Sequence, residues 1–245
     1  MKTSIIVQAR LGSTRLPNKV LKKIYKEKTV LEIIYKRLLK SKLADEIIFA
    51  IPDNKENLAL KIFIKNKIKC KIFLGSEDNV LNRYYLSSKS SKSDVIVRIT
   101  ADCPLVDTQL IDQSILVLKN QKLDYVYNGF PHTFPDGFDI EVFSFKALKL
   151  ANQKAKSKIQ KEGVTKYFRD NIKHFKTKHI KCLIPNISNL RLTIDEQIDL
   201  ELIIDIFNHF KPDIYFGLNE IAILSKKNPK LFKKNSGIKI NEGSS

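Results

Sequence analysis

The chain has 245 residues, of which 43% are hydrophobic, and a formal net charge of +18. This length and composition predict one globular domain with a substantial core. No apolar run approaches the ~20 residues that span a bilayer, and the short apolar N-terminal stretch lacks the form of a signal peptide. Three separated cysteines, Cys70, Cys103 and Cys182, argue against a disulfide framework and a CxxC zinc site. We therefore expect a cytoplasmic protein without membrane contact.

The positive charge comes mostly from lysines that are scattered along the chain. A nucleic-acid-binding protein usually gathers its basic residues in one patch or arm, so this charge is weak evidence for binding nucleic acid. A positive field would still attract a triphosphate.

The first predicted strand, residues 5–8, ends in a cationic loop that runs to Lys19 and contains Gly, Ser, Thr and two Arg. Backbone N–H groups and hydroxyls in such a loop can bind phosphate oxygens, while the cations neutralise their charge. Open α/β sheets bind ligands at the carboxyl ends of their strands. The loop therefore predicts a nucleoside triphosphate site. The alternative is an ordinary turn with solvated cations, because the spacing matches neither a Walker loop nor a dinucleotide fingerprint.

Strand and helix signals then alternate over the first 130 residues. Thr29 and Glu32 form a capping-box pattern that predicts the start of a helix. Further strands are predicted over residues 46–51, 70–74 and 95–99, with helices ending near 66, starting at 80 and lying around 111–118. This alternation predicts an α/β fold with a mostly parallel sheet and helices on both faces.

The second half of the chain is less regular. Strands are predicted over residues 124–128, 138–143 and 190–194, and helices over 145–156, 160–172 and 198–209. Residues 226–245 are rich in lysine and asparagine. We expect them to form a flexible tail after a single domain of residues 1–225.

Two carboxylates follow predicted strands. A triphosphate needs a divalent cation, which one or two carboxylates normally hold together with the phosphates. Asp102 comes just beyond a buried strand, and Asp195 follows the strand at 190–194. Each has an ordinary alternative, since Asp102 suits a turn and Asp195 suits a helix N-cap. Two such acids beside a cationic loop strengthen the case for a metal site.

A third acidic group consists of Asp136, Asp139 and Glu141. These side chains could bind a hydroxyl-rich substrate, or they could face solvent on an edge strand. Cys103 has no neighbouring histidine in the sequence, so a buried structural role suits it better than a nucleophilic one. The four histidines show no metal-ligand spacing.

The loop IVQARLGSTRLPNK of residues 6–19 resembles the signature loop of the sugar-acid cytidylyltransferases, which include acylneuraminate and 3-deoxy-manno-octulosonate enzymes. Four further segments are similar, in order and spacing, to the branch named for a spore-coat polysaccharide biosynthesis protein. They are GSEDNVLNRYY (75–85), VRITADCPLVD (97–107), FPDGFDIEVFSFKAL (134–148) and RLTIDEQIDLELI (191–203). The resemblance covers nearly the whole chain.

This resemblance implies a Rossmann-like nucleotidyltransferase fold with a small irregular dimerisation segment, and a homodimer. It implies that CMP is joined from CTP to a sugar acid with release of pyrophosphate, for surface polysaccharide or glycoconjugate synthesis. Implied catalytic residues are Arg10, Lys19 and Asp102, and implied Mg²⁺ ligands are Asp102 and Asp195. The implied nucleotide-binding residues are Ala9, Arg10, Leu11, Gly12, Ser13, Arg15, Lys19, Ser76, Asp78 and Arg83, and the implied acceptor-binding residues are Asp136, Asp139 and Glu141.

The chain departs from the family pattern at three positions. Asn18 and Ala101 stand where the family commonly has glycine, and Gly163 stands where this branch often has histidine. Without that imidazole, a role that histidine has at this position in the family does not carry over to this chain. The change is consistent with a different acceptor.

Two rival functions remain open from the sequence. A glycosyltransferase of similar fold would also hold a nucleotide-sugar through a metal-binding acid, but it would leave CTP unconsumed. A nucleic-acid-binding module would show steeply salt-dependent binding and would not need the loop aspartate. The identity of the acceptor and the preference for cytosine are not determined by the sequence.

Overall fold

A seven-stranded sheet forms the centre of the molecule in the computed structural model, which describes residues 1–240. Its strands are β1 (Thr3–Gln8), β4 (Glu46–Pro52), β5 (Lys71–Gly75), β6 (Val95–Thr100), β7 (Tyr125–Tyr127), β8 (Glu141–Ser144) and β9 (Thr177–His179). The spatial order is β5-β4-β1-β6-β8-β7-β9. Among these described strands only β8 runs antiparallel to its neighbours. The predicted mostly parallel α/β sheet is confirmed. A separate hairpin pairs β2 (Lys23–Tyr25) with β3 (Lys28–Thr29).

Both faces of the sheet are buried, which explains why its central strands read as continuous apolar runs. In β1, Ile5 and Val7 point into one hydrophobic cluster and Ile6 into the other. Successive side chains of a strand point to opposite faces, so both clusters must be covered by helices.

The helices that cover the sheet are α1 (Val30–Leu38), α2 (Leu58–Phe63), α3 (Val80–Ser91), α4 (Thr108–Asn120), α5 (Phe145–Lys154), α6 (Lys158–Glu162), α7 (Lys166–Asp170), α8 (Gln197–Phe210), α9 (Leu218–Lys227) and α10 (Pro229–Phe232). Buried residues of α1, α4 and α8 belong to the larger cluster, and those of α3 and α5 belong to the other. The predicted capping box is present at the start of α1, where Thr29 and Glu32 exchange side chain–backbone hydrogen bonds.

The prediction of a strand over residues 190–194 is wrong. This segment makes only an isolated bridge between Arg191 and Asp136. Leu192 N–H donates to the Asp136 carbonyl at 2.7 Å, and Ile194 N–H donates to the Asp102 carbonyl at 2.9 Å. The segment therefore bonds to two different loops in turn, and no strand within residues 1–240 pairs with it.

Two other predicted elements are shorter than expected. Of the strand predicted over residues 138–143, only the part from Glu141 onwards forms a strand, β8. The backbone of Phe138 and Ile140 is hydrogen-bonded by the Asn128 side chain instead. The helix predicted over 160–172 is divided into α6 and α7, because Val164 takes a positive φ of 46° that interrupts helical geometry.

The prediction of a flexible tail from residue 226 is wrong for residues 226–240. Helix α9 crosses the expected boundary, and α10 follows it directly. Phe232 is buried, and the 2% exposed Asn235 donates hydrogen bonds to the Arg191 carbonyl and to Asp199. The remaining tail residues, 241–245, lie outside the described part of the chain.

Candidate active site

A cleft of about 530 Å³ opens where the parallel neighbours β1 and β6 end. Gln8 at the end of β1 and Thr100 at the end of β6 both line it. In open α/β sheets this edge is where ligands bind, because the loops that follow parallel strands converge there. The carboxyl edge of the sheet is therefore the candidate site.

The cationic loop after β1 forms one wall of the cleft. Asn18 adopts the left-handed conformation with φ 57°, which asparagine tolerates better than most residues. Its N–H donates to the Leu11 carbonyl, while Leu11 N–H donates to Asn57 Oδ1 at 2.9 Å. The loop is thus folded back on itself before Lys19, and asparagine replaces the family glycine without loss of this turn.

Lys19 joins the two carboxylates predicted as metal ligands. Its Nζ lies 2.8 Å from Asp102 Oδ2 and 2.7 Å from Asp195 Oδ1. The lysine side chain is only 11% exposed. Asp102 and Asp195 lie 83 and 176 positions after Lys19 in the sequence, and folding brings both to its ammonium group.

The charges of this cluster stabilise one another. Burial by itself would lower the pKa of Lys19, but Asp102 and Asp195 outweigh it and raise that pKa. Burial would raise the pKa of Asp102, yet the Lys19 ammonium lowers it to about 2. The cluster therefore holds the Lys19 ammonium between two carboxyl groups, of which Asp102 is ionised at neutral pH.

Arg191 and Asp199 hold Asp195 in this position. The Arg191 guanidinium, 3% exposed, bonds both oxygens of Asp199 at 3.0 and 3.1 Å and Asp195 Oδ2 at 3.1 Å. Asp199 Oδ2 also accepts the backbone N–H groups of Asp195 and Glu196, both at 3.0 Å. The predicted N-cap alternative for Asp195 is not what the structure shows, since Glu196 is the capping residue of α8.

The donor set of the cluster fits a magnesium ion. Carboxylate oxygens are the ligands that Mg²⁺ takes, commonly one or two of them together with phosphate oxygens. Asp102 and Asp195 converge on the point that the Lys19 ammonium occupies, so a cation is already favoured there. Within residues 1–240 no group of three or more His, Cys, Asp or Glu side chains is arranged to hold a metal. A metal here would rely on these two carboxylates and a bound phosphate.

The segment after β5 forms the opposite wall. Asp78 and Arg83 line the cleft, whereas Ser76 contributes its carbonyl as the acceptor for Arg83 Nη1. Burial lowers the pKa of Arg83. Arg10 extends from the first wall towards Glu77 at 3.8 Å, and its side chain is 59% exposed. An exposed pair at this distance is weak, so Arg10 is available to a ligand.

The acidic residues predicted to bind the acceptor all line the cleft, but they differ in what surrounds them. Glu141 is bonded by Arg98 Nη1 at 2.7 Å, by Thr165 Oγ1 at 3.0 Å and by the Tyr125 hydroxyl. These three donors leave the Glu141 carboxylate little capacity for a substrate, and its predicted binding of the acceptor stays a prediction. Asp136 is paired with Arg191 at 3.4 Å.

Asp139 lies between these two acids in sequence and has a different environment. Within residues 1–240 its carboxylate accepts no hydrogen bond and forms no ion pair. Burial, followed by the charges of Asp136 and Glu141, raises its pKa to about 7.

At position 163, where the family branch often has histidine, the surrounding backbone favours glycine. A Cβ atom at this position would lie 2.9 Å from the Ile159 carbonyl oxygen. A histidine would need the turn between α6 and α7 to shift. Gly163 and Thr165 both line the cleft, so the replacement of histidine by glycine changes the cleft wall itself.

The structure brings most of the predicted site residues to one cleft. Those that line it are Ala9, Arg10, Gly12, Ser13, Arg15, Lys19, Asp78, Arg83, Asp102, Asp136, Asp139, Glu141 and Asp195. Leu11 and Ser76 are not among the lining residues and shape the walls through their backbones. Sequence reasoning did not identify Arg98 or Arg191 as organising residues. Each of these arginines lies within an otherwise apolar, strand-like run, and this pattern could have indicated a buried charge with an acidic partner.

A parallel α/β sheet whose carboxyl edge carries cations and paired carboxylates has the arrangement of a nucleotide-binding enzyme. Residues 4–232 match the family model described as cytidylyltransferase. The chain belongs to the cytidylyltransferase family, and it is accordingly a CTP-dependent nucleotidyltransferase.

Relatives with similar sequences extend this finding. The chain is 39% identical over 242 residues to the uncharacterised protein MJ1063 of Methanocaldococcus jannaschii, covering 98% of this chain and 96% of that protein. It is 31% identical over 237 residues to the spore coat polysaccharide biosynthesis protein SpsF of Bacillus subtilis, covering 91% and 94%. A 3-deoxy-manno-octulosonate cytidylyltransferase of Chloroherpeton thalassium is 34% identical over 118 residues, covering 47% and 46%.

A solved structure supports the fold. The cytidylyltransferase of Leptospira borgpetersenii has a TM-score of 0.89 and 30% identity to this chain, and the match covers 95% of this chain and 97% of that one. The match includes both halves of the chain, so the Rossmann-like nucleotidyltransferase architecture extends through the irregular second half.

Proposed function

We propose that the enzyme transfers CMP from CTP to an acidic sugar, with Mg²⁺ as cofactor and pyrophosphate as the second product. The observation that carries this proposal is the convergence of Lys19, Asp102 and Asp195 at the carboxyl edge of β1 and β6. It supplies one cation for phosphate oxygens and two carboxylates for a metal, within a chain of the cytidylyltransferase family.

In the proposed reaction an acceptor oxygen attacks the α-phosphorus of CTP in line with the departing pyrophosphate. Arg10, Arg15 and Lys19 would bind the triphosphate and stabilise the charge that develops on the leaving group. Asp102 and Asp195 would hold Mg²⁺, which would offset the charge of the phosphate oxygens. Positioning and electrostatics supply most of the rate in such reactions, which suits a cleft whose charged groups are fixed by Arg191 and Asp199.

An acidic sugar is the proposed acceptor because one relative is a 3-deoxy-manno-octulosonate cytidylyltransferase. A second relative is a spore coat polysaccharide biosynthesis protein, which supports a role in surface polysaccharide synthesis. Gly163 lines the cleft at the position where this branch often has histidine, which supports an acceptor different from that of its relatives.

Thermal stabilisation by nucleotides tests the proposal. CTP, UTP, ATP and GTP would each be added with and without MgCl₂, because a ligand that binds the folded state raises the melting temperature by mass action. We expect a rise that is selective for CTP and larger with magnesium. Pyrophosphate release would then be measured with 3-deoxy-manno-octulosonate, N-acetylneuraminate and, as a neutral control, mannose.

A response only to nucleoside diphosphates or diphospho-sugars would favour a glycosyltransferase over the proposed reaction. No response to any nucleotide, combined with steeply salt-dependent binding of DNA or RNA, would favour a nucleic-acid-binding module.

The location and the oligomeric state are also part of the proposal. No helix of residues 1–240 is long and apolar enough to cross a membrane. We propose that the enzyme is cytoplasmic and that it forms a homodimer, and sedimentation of the purified protein would test the dimer.

A further inference from the structure

The acceptor end of the cleft, which Asp136, Asp139 and Glu141 line, contains one carboxylate whose role is not explained by the fold. The Glu141 carboxylate is occupied by Arg98, Tyr125 and Thr165. Asp136 is held by Arg191. Asp139 lies in the same cleft wall, yet within residues 1–240 its carboxylate accepts no hydrogen bond and forms no ion pair.

The surroundings leave room beside the Asp139 carboxylate. Gly129, which also lines the cleft, has no side chain at the point nearest to Asp139. A Cβ atom there would lie only 3.3 Å from Asp139 Oδ1. The glycine therefore places no side chain over this oxygen, and the Asp139 carboxylate belongs to the cleft wall.

Charged groups from several elements act on Asp139. Asp136 on its own loop, Glu141 on β8 and Asp102 after β6 all disfavour its ionised form, and Arg98 on β6 favours it. The nearby Cys103 thiol is neutral, because burial raises its pKa well above the usual range. Burial and the surrounding acids together raise the pKa of Asp139 to about 7. A base with a pKa near the working pH is the most effective proton acceptor.

We propose that Asp139 is the general base of the transfer reaction and takes the proton of the attacking acceptor hydroxyl. This inference rests on the proposed function. The acceptor O–H bond breaks as its proton moves to the Asp139 carboxylate, and the acceptor oxygen forms a bond to the α-phosphorus of CTP. The bond from that phosphorus to the pyrophosphate oxygen breaks, and pyrophosphate leaves. Asp139 then returns its proton to solvent.

The pH dependence of kcat/KM tests this role in wild-type enzyme and in Asp139→Asn. The rate of pyrophosphate release would be measured from about pH 5 to about pH 9, with CTP, MgCl₂ and 3-deoxy-manno-octulosonate or N-acetylneuraminate as acceptor. Wild-type kcat/KM should rise with pH and level off above about pH 7, because only the ionised carboxylate accepts a proton. Asp139→Asn should lose this rise and fall on the order of 10²-fold or more at the plateau.

Two variants separate a chemical role from a structural one. Asp139→Glu should restore part of the rate together with the rise in kcat/KM, because it restores a carboxylate. Asp205→Asn, which changes a carboxylate on α8 outside the cleft, should keep the wild-type profile.

A second readout does not depend on turnover. A carboxyl group whose folded pKa is raised loses stabilisation as pH rises between its unfolded and folded values. The melting temperature of Asp139→Asn should therefore exceed that of wild type increasingly from about pH 4 to about pH 7, and CTP with MgCl₂ should still stabilise the variant.

The outcomes distinguish the two proposals. Wild-type turnover and an unchanged pH profile in Asp139→Asn would overturn the general-base role while leaving the proposed function intact. A wild-type protein that neither binds CTP nor releases pyrophosphate would overturn the proposed function and this inference with it.

Discussion

Two arginines, the largely buried Arg98 and the buried Arg191, hold the charged residues of the cleft at fixed positions. Arg98 bonds Glu141 across neighbouring strands, and Arg191 bonds Asp136, Asp195 and Asp199. Arginine suits this task because its planar guanidinium donates several hydrogen bonds in fixed directions. A buried carboxylate that lacks such a partner is costly. Asp139 differs from Asp136 and Glu141 in this respect, because within residues 1–240 its carboxylate has no hydrogen-bond or ion-pair partner.

Asp102→Asn should lower the rate of pyrophosphate release by about 10²-fold or more, which corresponds to several kcal/mol of transition-state stabilisation. The amide keeps the shape of the side chain but loses the negative charge that the proposed magnesium site needs. The rate would be measured with CTP and the best acceptor at saturating MgCl₂. Turnover near the wild-type level would exclude Asp102 as a metal ligand.

At the scale of elements, the cleft depends on the close passage of the 190–194 segment beside residues 136–137. Gly137 has a positive φ of 102°, and a Cβ atom there would lie 2.6 Å from the Leu192 carbonyl carbon. Both facts require glycine at this crossing. The crossing aligns Asp136 with Leu190 and Leu192 through backbone hydrogen bonds of 3.0 and 2.7 Å.

Gly137→Ala should lower the free energy of unfolding by about 1–3 kcal/mol or more, because it combines an unfavourable φ with a backbone clash. Urea unfolding would measure the change. Gly237→Ala is the matched control, since its added Cβ would have no heavy atom within 4 Å and it should leave stability nearly unchanged. Equal stability of both variants would contradict the close crossing.

The elements predicted correctly are those with strong local signals. The capping box at Thr29 and the buried strands β1, β4 and β6 follow from periodicity and side-chain chemistry. The hairpin of β2 and β3 and the edge strand β9 were not predicted, because these short strands contain lysine and few apolar residues and so carry little strand pattern. The segment 190–194 has strand-like composition, and its loop partners could not be read from its own residues.

At the scale of the whole molecule, the C-terminal segment of residues 226–240 contacts the residues that position Asp195 in the cleft. Asn235 Nδ2 donates to the Arg191 carbonyl at 3.0 Å and to Asp199 Oδ1 at 2.8 Å. Arg191 Nη1 in turn donates to the Lys239 carbonyl at 2.9 Å. The end of the described chain is thus bonded to the residues that position Asp195.

Asn235→Ala should reduce the free energy of unfolding by about 1–3 kcal/mol, because two buried acceptors lose their donor. Ser236→Ala changes an exposed neighbour and should have little effect. Urea unfolding of both variants would measure the difference. If Asn235→Ala is as stable as wild type, the segment is not docked, and the flexible tail expected from composition would be correct.

The charge cluster also predicts how stability depends on pH. Because Lys19 lowers the pKa of Asp102 to about 2, the ionised carboxylate stabilises the folded state above its unfolded pKa of 3.8. This stabilisation, about 2 kcal/mol, is lost as the pH falls through about 2. The free energy of unfolding of wild type should therefore fall between about pH 5 and about pH 2, as measured by urea unfolding at each pH.

Lys19→Met provides the comparison for this acid sensitivity. Without the ammonium the pKa of Asp102 is no longer lowered by its main partner, so the variant should lose less stability between the same pH values. Parallel curves for wild type and variant would show that other carboxylates cause the acid sensitivity.

The sequence by itself determined the α/β class, the cationic loop after the first strand and the two candidate metal carboxylates, because these depend on local periodicity and residue chemistry. Its resemblance to the sugar-acid cytidylyltransferases also placed the chain in the family that the comparisons identify. Only the tertiary structure decided that Glu141 is occupied, that Asp139 is uncovered and that residues 226–240 are docked. Those properties depend on contacts that form only after folding, with Arg98 and Arg191 more than 40 positions away from their partners and Gly129 across a loop from Asp139.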